Sequence, residues 1–148
     1  MEYSVGKIGR TFLIKFSQDD EFTNEIEQLC VKEGVGNAIF FIIGGINNAD
    51  IVSGPMNESL PPIPILSTIN KKSEILGIGT VFPSDNQPKI HLHAAVSKGD
   101  AIKVGCIRGE AKTFLVSEVV MLELIGIDAK RVRDEESGFN LLKIFPRP

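Results

Sequence analysis

At 148 residues, with 43% hydrophobic and 24% charged side chains, the chain is long enough to bury one core without a disulfide or metal as staple, and it lies far from the composition of disordered sequences. A net charge of −3 and a pI of about 5.4 argue against a partner held mainly by phosphate neutralisation, since duplex DNA binding draws most of its affinity from lysine and arginine. Met1 to Arg10 carries three charged residues and no long apolar run, and the longest apolar segment, Ala38 to Ile46, is too short for a membrane helix, so a reducing cytoplasm with Cys30 and Cys106 as free thiols is expected.

Thr11 to Phe16 alternates and is rich in β-branched and aromatic residues, which predicts a strand broken by Ser17 to Asp20. From Glu21 onward Phe22, Ile26, Leu29 and Cys30 fall three and four apart. That spacing predicts one amphipathic helix, with Asp19 or Asp20 as N-cap, Gly34 as its stop and Cys30 as a small core residue. Ala38 to Ile46 is apolar at every second and every first position, as in a strand buried on both faces, and it runs into Gly44-Gly45. Asn47 to Pro64 holds two glycine-proline and proline-proline breaks and predicts mostly loop, with one short strand near Asp50 to Ser53.

Ile65 to Asn70 and Glu74 to Val81 predict a hairpin around Lys71 and Lys72, followed by a polar turn at Pro83 to Pro88. Ile90 to Val96, Ala101 to Arg108 and Thr113 to Leu124 predict an antiparallel meander, interrupted at Ser97 to Asp100 and at Gly109 to Lys112. Lys130, Arg131 and Arg133, followed at once by Asp134, Glu135 and Glu136, read as a solvated charged turn. Leu141 to Phe145 predicts a final edge strand, with Pro146 and Pro148 ending the chain. Without repeats or linkers, residues 1–148 read as one α+β domain, mostly antiparallel sheet with one main helix.

Chemistry concentrates in His91-Leu92-His93, which holds both histidines of the chain. In a strand, side chains two apart share a face, so the imidazoles project together while Leu92 packs behind them. A turn centred at Lys98 or Gly99 pairs His93 with about residue 104 and His91 with about residue 106, which brings Cys106 onto the same face as a third ligand. Imidazole and thiolate suit zinc, but ordinary core or interface residues have the same pattern. Glu74 and Glu118 lie in apolar strands, where a carboxylate either supports a histidine, handles protons, or faces solvent. Arg108 shares strand parity with Cys106 and meets either an anionic ligand or a surface carboxylate. Gly44-Gly45 and Gly77-Ile78-Gly79 open no helix, so neither is a phosphate loop.

The order of Arg10-Thr11-Phe12, one helix, Gly44-Gly45, Ser73-Glu74-Ile75-Leu76, Ile90-His91-Leu92-His93-Ala94, Val104-Gly105-Cys106-Ile107, Glu118-Val119-Val120 and the tail from Asp134 to Leu142 resembles the plants-and-prokaryotes conserved (PPC) domain, also described as a PD-one-like DNA-binding domain. The resemblance covers nearly the whole chain. It implies a compact α+β domain that forms a homotrimer, with a metal at the histidine pair and a DNA-binding or regulatory role. Many relatives have histidine where this chain has Cys106, a change that alters metal preference while keeping a ligand. Plant relatives carry a separate AT-hook, which this sequence lacks. The fold grouping also looks like that of acetolactate decarboxylase, whose zinc is held by a His-x-His pair and a later histidine. That analogy implies the alternative, a zinc-dependent lyase acting on a small carboxylate, in which zinc polarises a carbonyl, Glu118 or Glu74 handles protons and Arg108 orients the substrate.

Overall fold

A computed structural model describes residues 1–145, so Pro146 and Pro148 lie outside the described residues. Strand β1 (Lys7–Ser17) leads into the helix α1 (Phe22–Glu33). Seven strands follow: β2 (Ala38–Pro55), β3 (Pro64–Ile69), β4 (Ser73–Ser84), β5 (Gln87–Lys98), β6 (Ala101–Ile125), β7 (Ala129–Arg133) and β8 (Asn140–Ile144). Every pairing is antiparallel except the short contact between β4 and β7. The α+β class with a single helix is the one observed. No helix among the described residues is long and apolar enough to cross a membrane.

The two long strands β2 and β6 pair with each other from Ala38↔Glu123 to Val52↔Cys106, forming one extended ribbon. Its two halves have different neighbours. The first half of β2 lies beside β4 and the second beside β3, while the first half of β6 lies beside β5 and the second beside β1. Because β4 and β5 pair with each other, their hairpin joins one half of the ribbon to the other and the sheet curls round its core. Inward residues Phe40, Ile42, Leu92, Ala94, Val96, Val119 and Met121 meet Phe22, Ile26 and Cys30 of α1, which lies against β5 and β6. Cys30 is 1% exposed, as expected of a small core residue.

The ribbon bends where Gly44 and Gly45 pass the carbonyl oxygens of Val116 and Phe114, so closely that a Cβ at either position would overlap them. Gly44 also has φ +124, in the region that favours glycine. Beyond the bend the stretch from Asn47 to Pro55, expected as mostly loop, is strand. Past the register shift at Gly44 the buried side chains are Ile46, Ala49 and Ile51, with polar Asn48 and Asp50 between them half-buried. The turn signal at Gly109 to Lys112 is likewise a bulge within one continuous β6, with Gly109 at φ +65, rather than a connection between two meander strands.

Three further expectations are corrected. The strands Pro64–Ile69 and Ser73–Ser84 do not form a hairpin; β3 pairs with β2, as does β4, along different stretches of it. The N-cap of α1 is Glu21, whose carboxylate accepts from the backbone N–H groups of Thr23 and Asn24, rather than Asp19 or Asp20 just before it. The basic run at Lys130 to Arg133 is strand β7, held parallel to β4 at Ser84↔Arg131 and antiparallel to β8. Its partner strand β4 lies far away in sequence, so local charge hid the pairing.

Candidate metal centre

Strand β5 buries Leu92, Ala94 and Val96 and turns His91 and His93 to the outer face. The imidazoles meet edge to face at 80°, with ring centroids 4.9 Å apart. Their Nε2 atoms are 3.2 Å apart. Two nitrogens bound tetrahedrally to one zinc at about 2.05 Å lie about 3.3 Å apart, so the pair already stands at ligand spacing.

Cys106 reaches this face through the β5–β6 hairpin. Its turn is Gly99-Asp100, with glycine at φ +57 in the first central position as two-residue hairpins favour. Lys98 therefore opposes Ala101, and Cys106 opposes His93 rather than His91. The turn centre lies one residue later than expected, which shifts the register by two residues and so keeps the sulfur on the histidine face. Cys106 is 5% exposed, and its thiol donates a 3.7 Å hydrogen bond to the Ile107 carbonyl. The three ligand atoms of His91, His93 and Cys106 all lie within 4.8 Å of one another. A tetrahedral site with Zn–S of about 2.3 Å needs N···S of about 3.6 Å, so the sulfur has roughly 1 Å to travel. A turn about χ1, away from the Ile107 carbonyl, moves it in that range.

The electrostatics favour neutral nitrogen donors. His91 is pushed down to about 4, first by burial of its ring among protein atoms and then by the positive charge of Arg131, by His93 and by Arg108. One flank of His91 stays open to solvent, yet the ring is neutral at pH 7 and its lone pair is available. Burial pushes the Cys106 thiol up, opposed by the nearby Arg108 and Arg131, so a metal must displace its proton.

Arg131 is the residue that local sequence patterns missed. It projects from β7 so that Nη2 donates to Thr80 Oγ1 at 3.1 Å, and Thr80 is the cross-strand partner of His91. Arg108, expected near Cys106, lines the same cleft as Arg131 and His91. Glu74 and Glu118 do not join the cluster. Glu74 pairs with Gly45 and Ser97, four residues along β5 from His93 or roughly 13 Å, and Glu118 pairs with Ile43 and Lys15. Both face solvent.

The outer face around His93 is apolar. His93 opposes Ile78, Ile78 opposes Phe41 and Phe41 opposes Val120, with Leu76 and Ile43 as the next pair along. Phe41 and Ile43 are 41% and 51% exposed, so the central strand expected to be buried on two faces has one face uncovered in the single chain.

A model of the Plants and Prokaryotes Conserved (PCC) domain matches residues 3–125. The chain belongs to this family. Among solved structures, a plant- and prokaryote-conserved protein of Pyrococcus horikoshii aligns with a TM-score of 0.84 at 23% identity, covering 98% of this chain and 99% of the other. A metal-containing protein of Archaeoglobus fulgidus aligns with a TM-score of 0.84 at 22% identity, over 95% and 98% of the two chains. A Bacteroides thetaiotaomicron protein provisionally described as DNA-binding aligns at 0.77 and 16% identity, over 94% and 97%. No curated protein matches in sequence. The PCC match ends at residue 125, so β7, β8 and Arg131 of this PCC-domain protein lie beyond the part the family model describes.

Proposed function

We propose that this PCC-domain protein is a zinc-binding homotrimer, with His91, His93 and Cys106 as the protein ligands in each chain. The observation that carries the reading is the convergence of two Nε2 atoms at 3.2 Å from residues held rigidly on one strand, with a thiol on the adjacent strand. Two imidazoles and a thiolate form a borderline-soft donor set that suits zinc better than magnesium or calcium. Such an ion polarises a bound carbonyl or lowers the pKa of a bound water. The metal-containing relative from Archaeoglobus fulgidus supports a metal in this fold. The apolar face formed by Phe41, Ile43, Leu76 and Ile78 supports self-association, since a contiguous exposed apolar patch normally meets a partner.

A DNA-binding or regulatory role is supported by the provisional description of the Bacteroides relative, and the free thiols Cys30 and Cys106 suit a reducing cytoplasm. The net charge of −3 gives it no electrostatic support, and an affinity for duplex DNA that does not fall with salt would remove it. The second reading, a zinc-dependent enzyme acting on a small carboxylate, is favoured by the cleft that opens beside His91 and by Arg108 within it. It must assign its proton transfers to groups other than Glu74 and Glu118, which face solvent away from the histidines.

Elemental analysis of purified protein beside a His91→Ala, His93→Ala double variant tests the zinc reading. About one zinc per chain in the wild type and a loss of most of it in the variant are expected. Equal metal content in both would sink it.

A further inference from the structure

The cleft beside His91 encloses about 810 Å³ and is lined by Arg108, Arg131 and Arg133, with Phe139 and Leu141 as apolar wall. Asp85 is its one acidic lining residue. None of the three arginines has a carboxylate within ion-pair distance among the described residues. Arg133 is occupied in part by the Gly138 carbonyl, which accepts from its Nη1. Arg131 is the most constrained. Its Nη2 donates to Thr80, while its Nε is shut off from solvent without any hydrogen-bond partner.

A guanidinium taken out of water costs free energy unless an anion or a full set of acceptors replaces its hydration. Arg131 is the one drawn partly out of water; with Arg108 and Arg133 exposed beside it and Lys89 matched by Glu27, the cleft carries about two positive charges more than Asp85 offsets. The guanidinium fork matches planar or tetrahedral oxyanions through paired N–H donors. A carboxylate would supply one charge; a phosphate monoester, mostly dianionic near pH 7, supplies nearly two. Phe139, 41% exposed, and Leu141, 48% exposed, offer an apolar surface in the same cleft for the remainder of the ligand.

We propose that this cleft binds the phosphate group of a small organic phosphate ester, anchored by Arg131 and Arg108, with the ester's apolar body against Phe139 and Leu141. The site is next to the histidine pair but is built by charge and shape that need no metal. It draws Arg131, Arg133 and the apolar wall from the segment after residue 125, beyond the family match.

Isothermal titration of the full chain with phenyl phosphate, with benzoate as the monoanionic arm, tests this. Saturable binding of phenyl phosphate is expected, with benzoate weaker, and a loss of about tenfold or more in affinity for Arg131→Gln and for Arg108→Gln. Arg108 is exposed, so its variant keeps the test valid should Arg131→Gln unfold. Lys15→Gln, which removes an exposed positive charge on β1 outside the cleft lining, should bind phenyl phosphate as the wild type does. No saturable binding, benzoate binding as tight as phenyl phosphate, or unchanged affinity in folded arginine variants would overturn the proposal. Failure of the zinc reading is separately visible: wild-type protein without metal that still binds phenyl phosphate removes the metal and leaves this site standing.

Discussion

Zinc binding at His91, His93 and Cys106 is expected to tighten as pH rises, by a factor set by the thiol. His91, held near 4 by burial and by neighbouring positive charge, has no proton to lose at neutral pH. The Cys106 thiol is pushed by burial above its ordinary 9.0 and is protonated from pH 7 upward to at least that value. A thiolate ligand must therefore release one proton per ion bound. The free state holds that proton and the bound state does not, so affinity increases with pH, about tenfold per unit, or about thirtyfold from pH 7 to pH 8.5. Where His91 takes up a proton of its own, near 4, that proton too must be displaced and the dependence is steeper. Competition against a chelator of known pH dependence measures the slope, and calorimetry in two buffers of different ionisation enthalpy counts the proton directly. Cys106→Ala should flatten the slope above neutrality. A slope of zero in the wild type, or the same slope in Cys106→Ala, would refute the assignment of the sulfur as ligand.

Phe41→Asp, on the uncovered face, should shift native mass from trimer to monomer while circular dichroism stays β-rich, because its side chain packs outward and not into the core. An unchanged mass would locate the assembly surface elsewhere. Gly79→Ala should destabilise the fold by about 1–3 kcal/mol in urea titrations, because its Cβ would enter the space filled by the buried Phe40 ring, and Phe40→Leu in the same chain should recover part of that loss. Additive losses would contradict the packing argument. The Glu123 carboxyl is held down at about 2 by side-chain and backbone hydrogen bonds from Arg10, against an ordinary 4.5. Its folded pKa lies below the unfolded one, so the stabilisation is complete above 4.5 and is lost as pH falls through about 2. The stability gap between wild type and Glu123→Gln should close over that window in denaturant titrations; a gap independent of pH would show that Arg10 contributes nothing through this charge.

Patterns with a short range were legible in the sequence. The helix with its Gly34 stop, the hairpin that carries His91, His93 and Cys106, and the placing of all three on one face follow from periods of 3.6 and 2 and from a glycine turn, which are properties of neighbouring residues. The register of that hairpin was displaced because a two-residue turn can be centred on either side of Gly99, and only the pairing of Lys98 with Ala101 decides which. Longer range defeated local reading. Whether Gly109 ends a strand or makes a bulge depends on whether β2 lies alongside to continue the ladder.

The chemical identity of the site was set by residue type: two imidazoles two apart and a thiol one turn away, on a chain whose charge gives no advantage to nucleic acid. Its surroundings were decided by the tertiary structure alone. Arg131 enters the cleft because β7 runs beside β4, a strand more than forty residues earlier, and no local period encodes that contact. Glu74 and Glu118 stay out of it because pairing places them elsewhere on the outer face, Glu74 opposite Ser97 and Gly45 and Glu118 opposite Ile43 and Lys15, and not beside the histidines. A strand's own residues determine which face each side chain takes, and only the packing of strands distant in sequence determines what that face meets.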